Sequence, residues 1–189
     1  MLPNIVLFAG KDSTSTASLW ETNGTASGTF ELLTNPPAVS GQVPITGEAI
    51  FGFVPQPGMS LDLTVFNGQV LFYGRYSPNP AAPIDQGPYT LWTTDGTAAG
   101  TVPIPLTSIT GADSTGLFIG ADKPTDVTPG FTVFGDEVLF RGLDTAGASG
   151  LWKTTGTATG TTEITGINGT ASAGINPSDI TNGAVQWRE

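Results

Sequence analysis

The chain has 189 residues, 38% of them apolar, and a net charge of −10 from 16 carboxylates against 6 Lys and Arg. That length holds one domain with a sizeable core, and that charge argues against nucleic acid or an anionic membrane as partner, because no basic stripe exists to displace counterions from phosphates. With no Cys and no His, disulfides, thiolate nucleophiles, Ser-His-Asp triads and imidazole metal sites fall away together.

The remaining composition points to strands. Gly (26) and Pro (15) are abundant while charged residues make up only 12%, which suits tight turns better than helix surfaces. No apolar run approaches the roughly 18 residues of a membrane span. The start, Met1-Leu2-Pro3-Asn4, has neither the basic region nor the apolar stretch of a signal peptide.

In chain order, Ile5-Val6-Leu7-Phe8 reads as a strand, followed by a second at Leu19-Trp20 and a third over about 30–34. Leu63–Phe66 and Gln69–Phe72 flank Asn67-Gly68, the dipeptide that hairpins prefer. The segment 91–101 opens on Leu91-Trp92 and leads to a strand over 102–109. Phe131–Phe134 and Glu137–Phe140 flank Gly135-Asp136, again hairpin chemistry. Leu151-Trp152 begins a further unit that ends in a strand over 162–167. Near the C-terminus, 179–185 carries another first strand with Asn182-Gly183 at its turn. No segment shows a 3.6-residue apolar period long enough for a helix.

These elements repeat. Residues 19–29, 91–101 and 151–161 align without gaps on L-W-x-T-x-G-T-A-x-G-T, and seven or more identities in eleven positions exclude chance. One unit is strand, turn, strand ending in Val-Leu-Phe, Leu-Trp strand, G-T-A-x-G-T loop and fourth strand. Four antiparallel strands per unit is a propeller blade. The expected fold is therefore all-β and propeller-like, one repeat domain over 1–189 with three blades, the third split between the two ends. Three blades make a very tight ring, so the expectation is a homo-oligomer or a piece of a longer array.

At this motif the chain resembles the bacterial ELWxxDGT repeat family, over essentially its whole length. Two positions depart from the family pattern. The Glu before Leu-Trp is Ser18, Thr90 and Gly150, and the Asp before Gly-Thr survives as Asp95, with Asn23 and Thr155 in the other copies. The resemblance implies propeller-like repeats in surface or secreted bacterial proteins, and no settled chemistry.

Candidate sites follow from what the repeat does and does not demand. Trp20, Trp92 and Trp152 read as packing between blades; the competing reading is a set of platforms for sugar rings. Gly24/Gly28, Gly96/Gly100 and Gly156/Gly160 are expected at positive φ. All three tyrosines fall within 73–89, in an insertion that one copy alone carries. Tyr and Arg dominate binding hot spots, so Tyr73, Arg75, Tyr76, Asp85 and Tyr89 form the candidate ligand site. Asp12 and Asp144 occupy equivalent turns and are the candidate ligands for calcium, the one metal suited to an all-oxygen site; no cofactor is otherwise expected. Carboxylate pairs such as Asp136-Glu137, or Asp62 with Asp179, are the acid/base chemistry left. The functional expectation is a non-enzymatic module that binds a glycan or protein partner. A self-assembly unit is the alternative, and a carboxylate-dependent glycoside hydrolase a remote one.

Overall fold

The computed structural model describes residues 5–11, 13, 17–32, 62–75, 88–118 and 129–168. Within them lie eleven strands and one short 3-10 turn. Sheet 1 contains β1 (Val6–Lys11), β2 (Ala17–Thr22) and β3 (Thr29–Glu31). Sheet 2 contains β4 (Thr64–Phe66), β5 (Gln69–Arg75), β6 (Tyr89–Thr94) and β7 (Val102–Pro103). Sheet 3 contains β8 (Thr132–Phe134), β9 (Glu137–Leu143), β10 (Ser149–Thr154) and β11 (Thr162–Glu163). Every pairing is antiparallel and follows chain order, so each sheet is a meander. The strand expected over 179–185 lies outside the described residues.

Turn chemistry sets the registers. Asn67 and Gly68 both have positive φ, 48° and 77°, the type I′ geometry whose twist matches its strands. In β8–β9 Gly135 alone takes positive φ, 62°, as a first central glycine does in a type II′ turn. Both turns pair the third residue of the first strand with the first of the second, Phe66 with Gln69 and Phe134 with Glu137.

The fourth strands are shorter than expected. The strand predicted over 102–109 stops at Pro103, and Leu106–Ser108 forms the 3-10 turn instead. Pro103 and Pro105 have no N–H to give a ladder. The strand predicted over 162–167 shrinks to 162–163, and the one predicted over 30–34 runs over 29–31, with 33–34 outside the described residues. One further bond extends each edge in the same way: the N–H groups of Leu32, Ile104 and Ile164 donate to the carbonyls of Leu19, Leu91 and Leu151, all at 2.8 Å.

Burial by face gives the order of stacking. Sheet 1 buries the face of Leu19 (0% exposed) and Glu21, while sheet 3 buries the opposite face, with Val138, Phe140 and Trp152 all at 0%. In sheet 2, β6 is buried on both faces from Thr90 to Thr94. Sheet 2 therefore lies between the other two. Its Leu71 and Leu91 share one core cluster with Val138, Phe140 and Trp152 of sheet 3. On its other side, a Cβ on Gly96 would meet Ile5 Cδ1 and approach Glu21 of sheet 1. The rule is directional: the Leu face of one sheet covers the Trp face of the next.

Each tryptophan sits opposite a phenylalanine of the preceding strand, Phe8 with Trp20, Phe72 with Trp92 and Phe140 with Trp152. The second pair stacks at 6.0 Å and the third lies at 6.3 Å. Two residues beyond the Phe comes a glycine, and the indole lies across it. A Cβ on Gly142 would fall 2.8 Å from Trp152 Cδ1, and one on Gly10 would collide with the Trp20 ring in the same way. Gly142→Ala is expected to destabilise the fold by about 1–3 kcal/mol, because the indole must leave its rotamer. Urea unfolding followed by tryptophan fluorescence measures this, and an unchanged midpoint would contradict the contact.

Candidate functional site

The three G-T-A-x-G-T loops share one hydrogen-bond circuit. In sheet 2 the Gly96 N–H donates to Thr94 Oγ1 at 3.0 Å, and Thr94 and Thr101 Oγ1 lie 2.6 Å apart. Thr101 Oγ1 in turn donates to the Thr97 carbonyl at 2.6 Å. A hydroxyl has one proton, so Thr94 must be the donor to Thr101, and the relay runs one way from Gly96 to Thr97. A second relay runs from the Gly100 N–H through the Thr97 hydroxyl to Asp95 Oδ1, at 2.9 and 2.7 Å. The Thr97 N–H donates to the same oxygen at 2.9 Å.

The other copies repeat this circuit with different acceptors. Asn23 Oδ1 accepts from the Thr25 N–H and hydroxyl at 3.0 and 2.7 Å. Thr155 Oγ1 meets Thr157 Oγ1 at 3.2 Å. The buried Thr154 and Thr161 hydroxyls are 2.7 Å apart, as Thr22 and Thr29 are at 2.6 Å. The Asp of the repeat is thus a turn cap that any short polar acceptor can replace.

The two glycines of each loop have different reasons. Gly24, Gly96 and Gly156 take positive φ, 87°, 86° and 84°. Gly28, Gly100 and Gly160, expected to do the same, are absent from the positive-φ residues. They are glycines for space, since a Cβ there would strike the side chain of Asn23, Asp95 or Thr155.

The tyrosine site divides. Tyr73 and Tyr89 stand at the end of β5–β6, with ring centroids 5.9 Å apart. They pack against the core cluster between sheets 2 and 3. Tyr73 lies 5.7 Å from Phe118, which lies 5.8 Å from Phe140 and 6.3 Å from Phe131. Burial, reinforced by the charges of Tyr89 and Asp62, pushes the Tyr73 phenol up to about 12. Arg75 pairs with Tyr89 in the ladder; its side chain, and Tyr76 and Asp85 altogether, lie outside the described residues.

The carboxylates are engaged by backbone. Asp144 Oδ1 accepts from the N–H groups of Ala146 and Ala148 at 2.9 and 2.8 Å, an Asx cap on its own turn. Its charge adds to burial in raising the carboxyl of Glu163. Asp12, the other calcium candidate, lies outside the described residues. Glu137 pairs with Lys153 at 2.7 Å, while Asp136 is exposed in the turn. Among the described residues no three acidic side chains converge as a metal would need.

Two connections were missed by sequence reasoning. Asp62, at φ 51°, reaches from sheet 2 to the Phe131 N–H at the start of sheet 3 at 2.9 Å. Leu117 receives Leu143 of sheet 3 on its carbonyl and donates to the Tyr89 carbonyl of sheet 2, at 2.8 and 2.9 Å. Neither belongs to the repeated motif, so no periodicity announces them. Comparison with family models, curated proteins and solved structures found no match to the chain.

Two measurements test these assignments. Asp95→Ala leaves two donors of Thr97 without their acceptor and is expected to destabilise by about 0.5–2 kcal/mol, as loss of a cap does. Asp95→Asn keeps Oδ1, as Asn23 does, and is expected to melt like the parent at neutral pH; equal losses for both would contradict the cap. For Tyr73, folding favours the neutral phenol. Its contribution is complete below the ordinary value of 10.0 and is lost as pH rises through about 12. Ultraviolet titration should show one tyrosinate forming near 12 that is missing in Tyr73→Phe. An identical titration curve for that variant would overturn the assignment.

Proposed function

We propose that this chain is a non-enzymatic interaction module built from propeller-type blades, each sheet being one blade. The observation that carries the reading is how the polar groups of the repeats are used. The loop hydroxyls form closed relays onto their own backbone, and Asp62, Asp95 and Asp144 each hold backbone N–H groups. Carboxylates so engaged cap turns and link sheets; general acid/base work needs them poised on a substrate proton. The reading therefore calls for no cofactor. The indole N–H groups of Trp20 and Trp152 are buried without an acceptor among the described residues, which suits rings used for packing and not for sugars.

What is left for recognition is loop surface and sheet surface. The Tyr73–Tyr89 end supports a glycan or protein partner, because both strands bearing the insertion are anchored by buried aromatics. A rigid base lowers the ordering entropy that a binding loop must overcome. A second reading, self-assembly, is favoured by the unequal faces left at the two ends of the stack. The resemblance to repeats of bacterial surface proteins supports either role outside the cell.

A glycan array and a pull-down from the surface fraction of a bacterial host test the first reading. Tyr76→Ala or Arg75→Ala is expected to weaken any interaction found by at least about tenfold, the effect of a hot-spot residue. Full retention by both variants would move the site away from the insertion.

A further inference from the structure

We infer that the two outer sheet faces, the Trp face of sheet 1 and the Leu face of sheet 3, are halves of one interface, and that a second copy of this chain completes it head to tail. The inference rests on the self-assembly reading and names its partner. The contact between a Leu face and a Trp face is made twice inside the chain, sheet 1 on sheet 2 and sheet 2 on sheet 3. Each contact leaves a trace at the first glycine of the covered sheet's loop. A Cβ on Gly96 lies 4.0 Å from Glu21, and one on Gly156 lies 3.8 Å from Thr93. Glu21 and Thr93 hold the same repeat position, one residue after the tryptophan.

Gly24 is the third member of that series, and among the described residues nothing lies within 4 Å of a Cβ placed there. Near β1 the Trp face of sheet 1 is also less covered than that of sheet 3, although Ser18 on the same face is 2% exposed. Val6 and Val138 occupy the same place, opposite Thr22 and Thr154. Val138 is 0% exposed and Val6 61%. Trp152 is fully buried, while Trp20 is partly exposed.

At the other end of the stack, the Leu face of sheet 3 is less covered than the Leu face of sheet 2. Leu139 and Leu151 are partly exposed, whereas their counterparts Leu71 and Leu91 in sheet 2 are 1% and 0% exposed. Lys153 follows Trp152 as Glu21 follows Trp20, and its side chain is 38% exposed. By repeat equivalence Lys153 is the residue that should lie against Gly24 of a partner. An interface between unlike faces cannot close on itself by pairing like with like. It makes either a ring or an open fibre. Propellers close with four to eight blades. Three sheets fall below that range and two copies supply six, so the closed pair is the assembly expected.

The test is light scattering on a sizing column, with folding checked by near-ultraviolet circular dichroism. The parent chain should show twice the single-chain mass. Val6→Glu alters the Trp face of sheet 1, and Leu139→Glu the Leu face of sheet 3. Each alone places a carboxylate in both junctions of the pair. Each should run as a folded single chain at concentrations where the parent is paired, with association at least about tenfold weaker. Mixed together, they should regain the paired mass, because one junction then joins two unaltered faces. If Leu139→Glu does not fold, Lys153→Glu replaces it.

A parent that stays a single chain at every concentration would overturn the inference, the faces then being covered by the chain itself. Pairing broken by Val6→Glu but indifferent to both sheet 3 variants would overturn it as well, since like faces would be joined. A mass that climbs without limit would overturn the closed pair. Loss of pairing with partner binding at Arg75 and Tyr76 intact would leave the interaction-module reading standing.

Discussion

An indole ring pressed across a glycine of the preceding strand is the contact on which the stacking of these sheets depends. Without a Cβ at Gly10 or Gly142, the ring lies flat along the sheet beside its cross-strand phenylalanine. That flatness gives each sheet one face thick with aromatic surface and one built of leucine. Unlike faces then match, sheet upon sheet, in one direction. The same asymmetry buries β6 of the middle sheet on both faces and leaves the Leu face of β10 half-buried. An aromatic pair adds about 0.5–1.5 kcal/mol beyond the area it buries, and repetition multiplies that through the stack.

The loops solve a different problem. A chain turning back beside buried strands exposes N–H and C=O groups that must be paired. Here threonines pair them, each hydroxyl accepting from one group and donating to another. The relay explains why the repeat keeps Thr at the same places while its capping residue varies among Asn23, Asp95 and Thr155. The caps differ in strength, the conserved geometry does not. Direct hydrogen bonds from Thr97 hold the Asp95 carboxyl below its ordinary value, as expected of an acid stabilised in its charged form.

Asymmetry is concentrated where sheets 2 and 3 meet. Tyr73, Tyr89, Phe118, Phe131 and Phe140 form a continuous aromatic chain there. Asp62 and Leu117 tie the backbones of the two sheets across it. The Tyr-rich segment was read from sequence as a binding surface. Its two outer tyrosines serve the core as well, so they make a rigid root for what lies between them.

Much of this was legible before any coordinates. The eleven-residue motif located the Trp strands and loops of all three units, because a period repeated three times outweighs the ambiguity of any one strand. Asn67-Gly68 announced its hairpin, since few residues tolerate two consecutive positive φ values. The ends of the fourth strands were not legible, because a strand's length depends on how far its neighbour can offer partners, and Pro103 cut that short. Nor was the split role of the glycines, where one supplies backbone freedom and the other room for a side chain five residues away. Which sheet face meets which was decided only by tertiary packing. Alternation along a strand defines two faces, but both faces here are apolar enough to be buried. Only the stacked structure shows that Trp faces Leu.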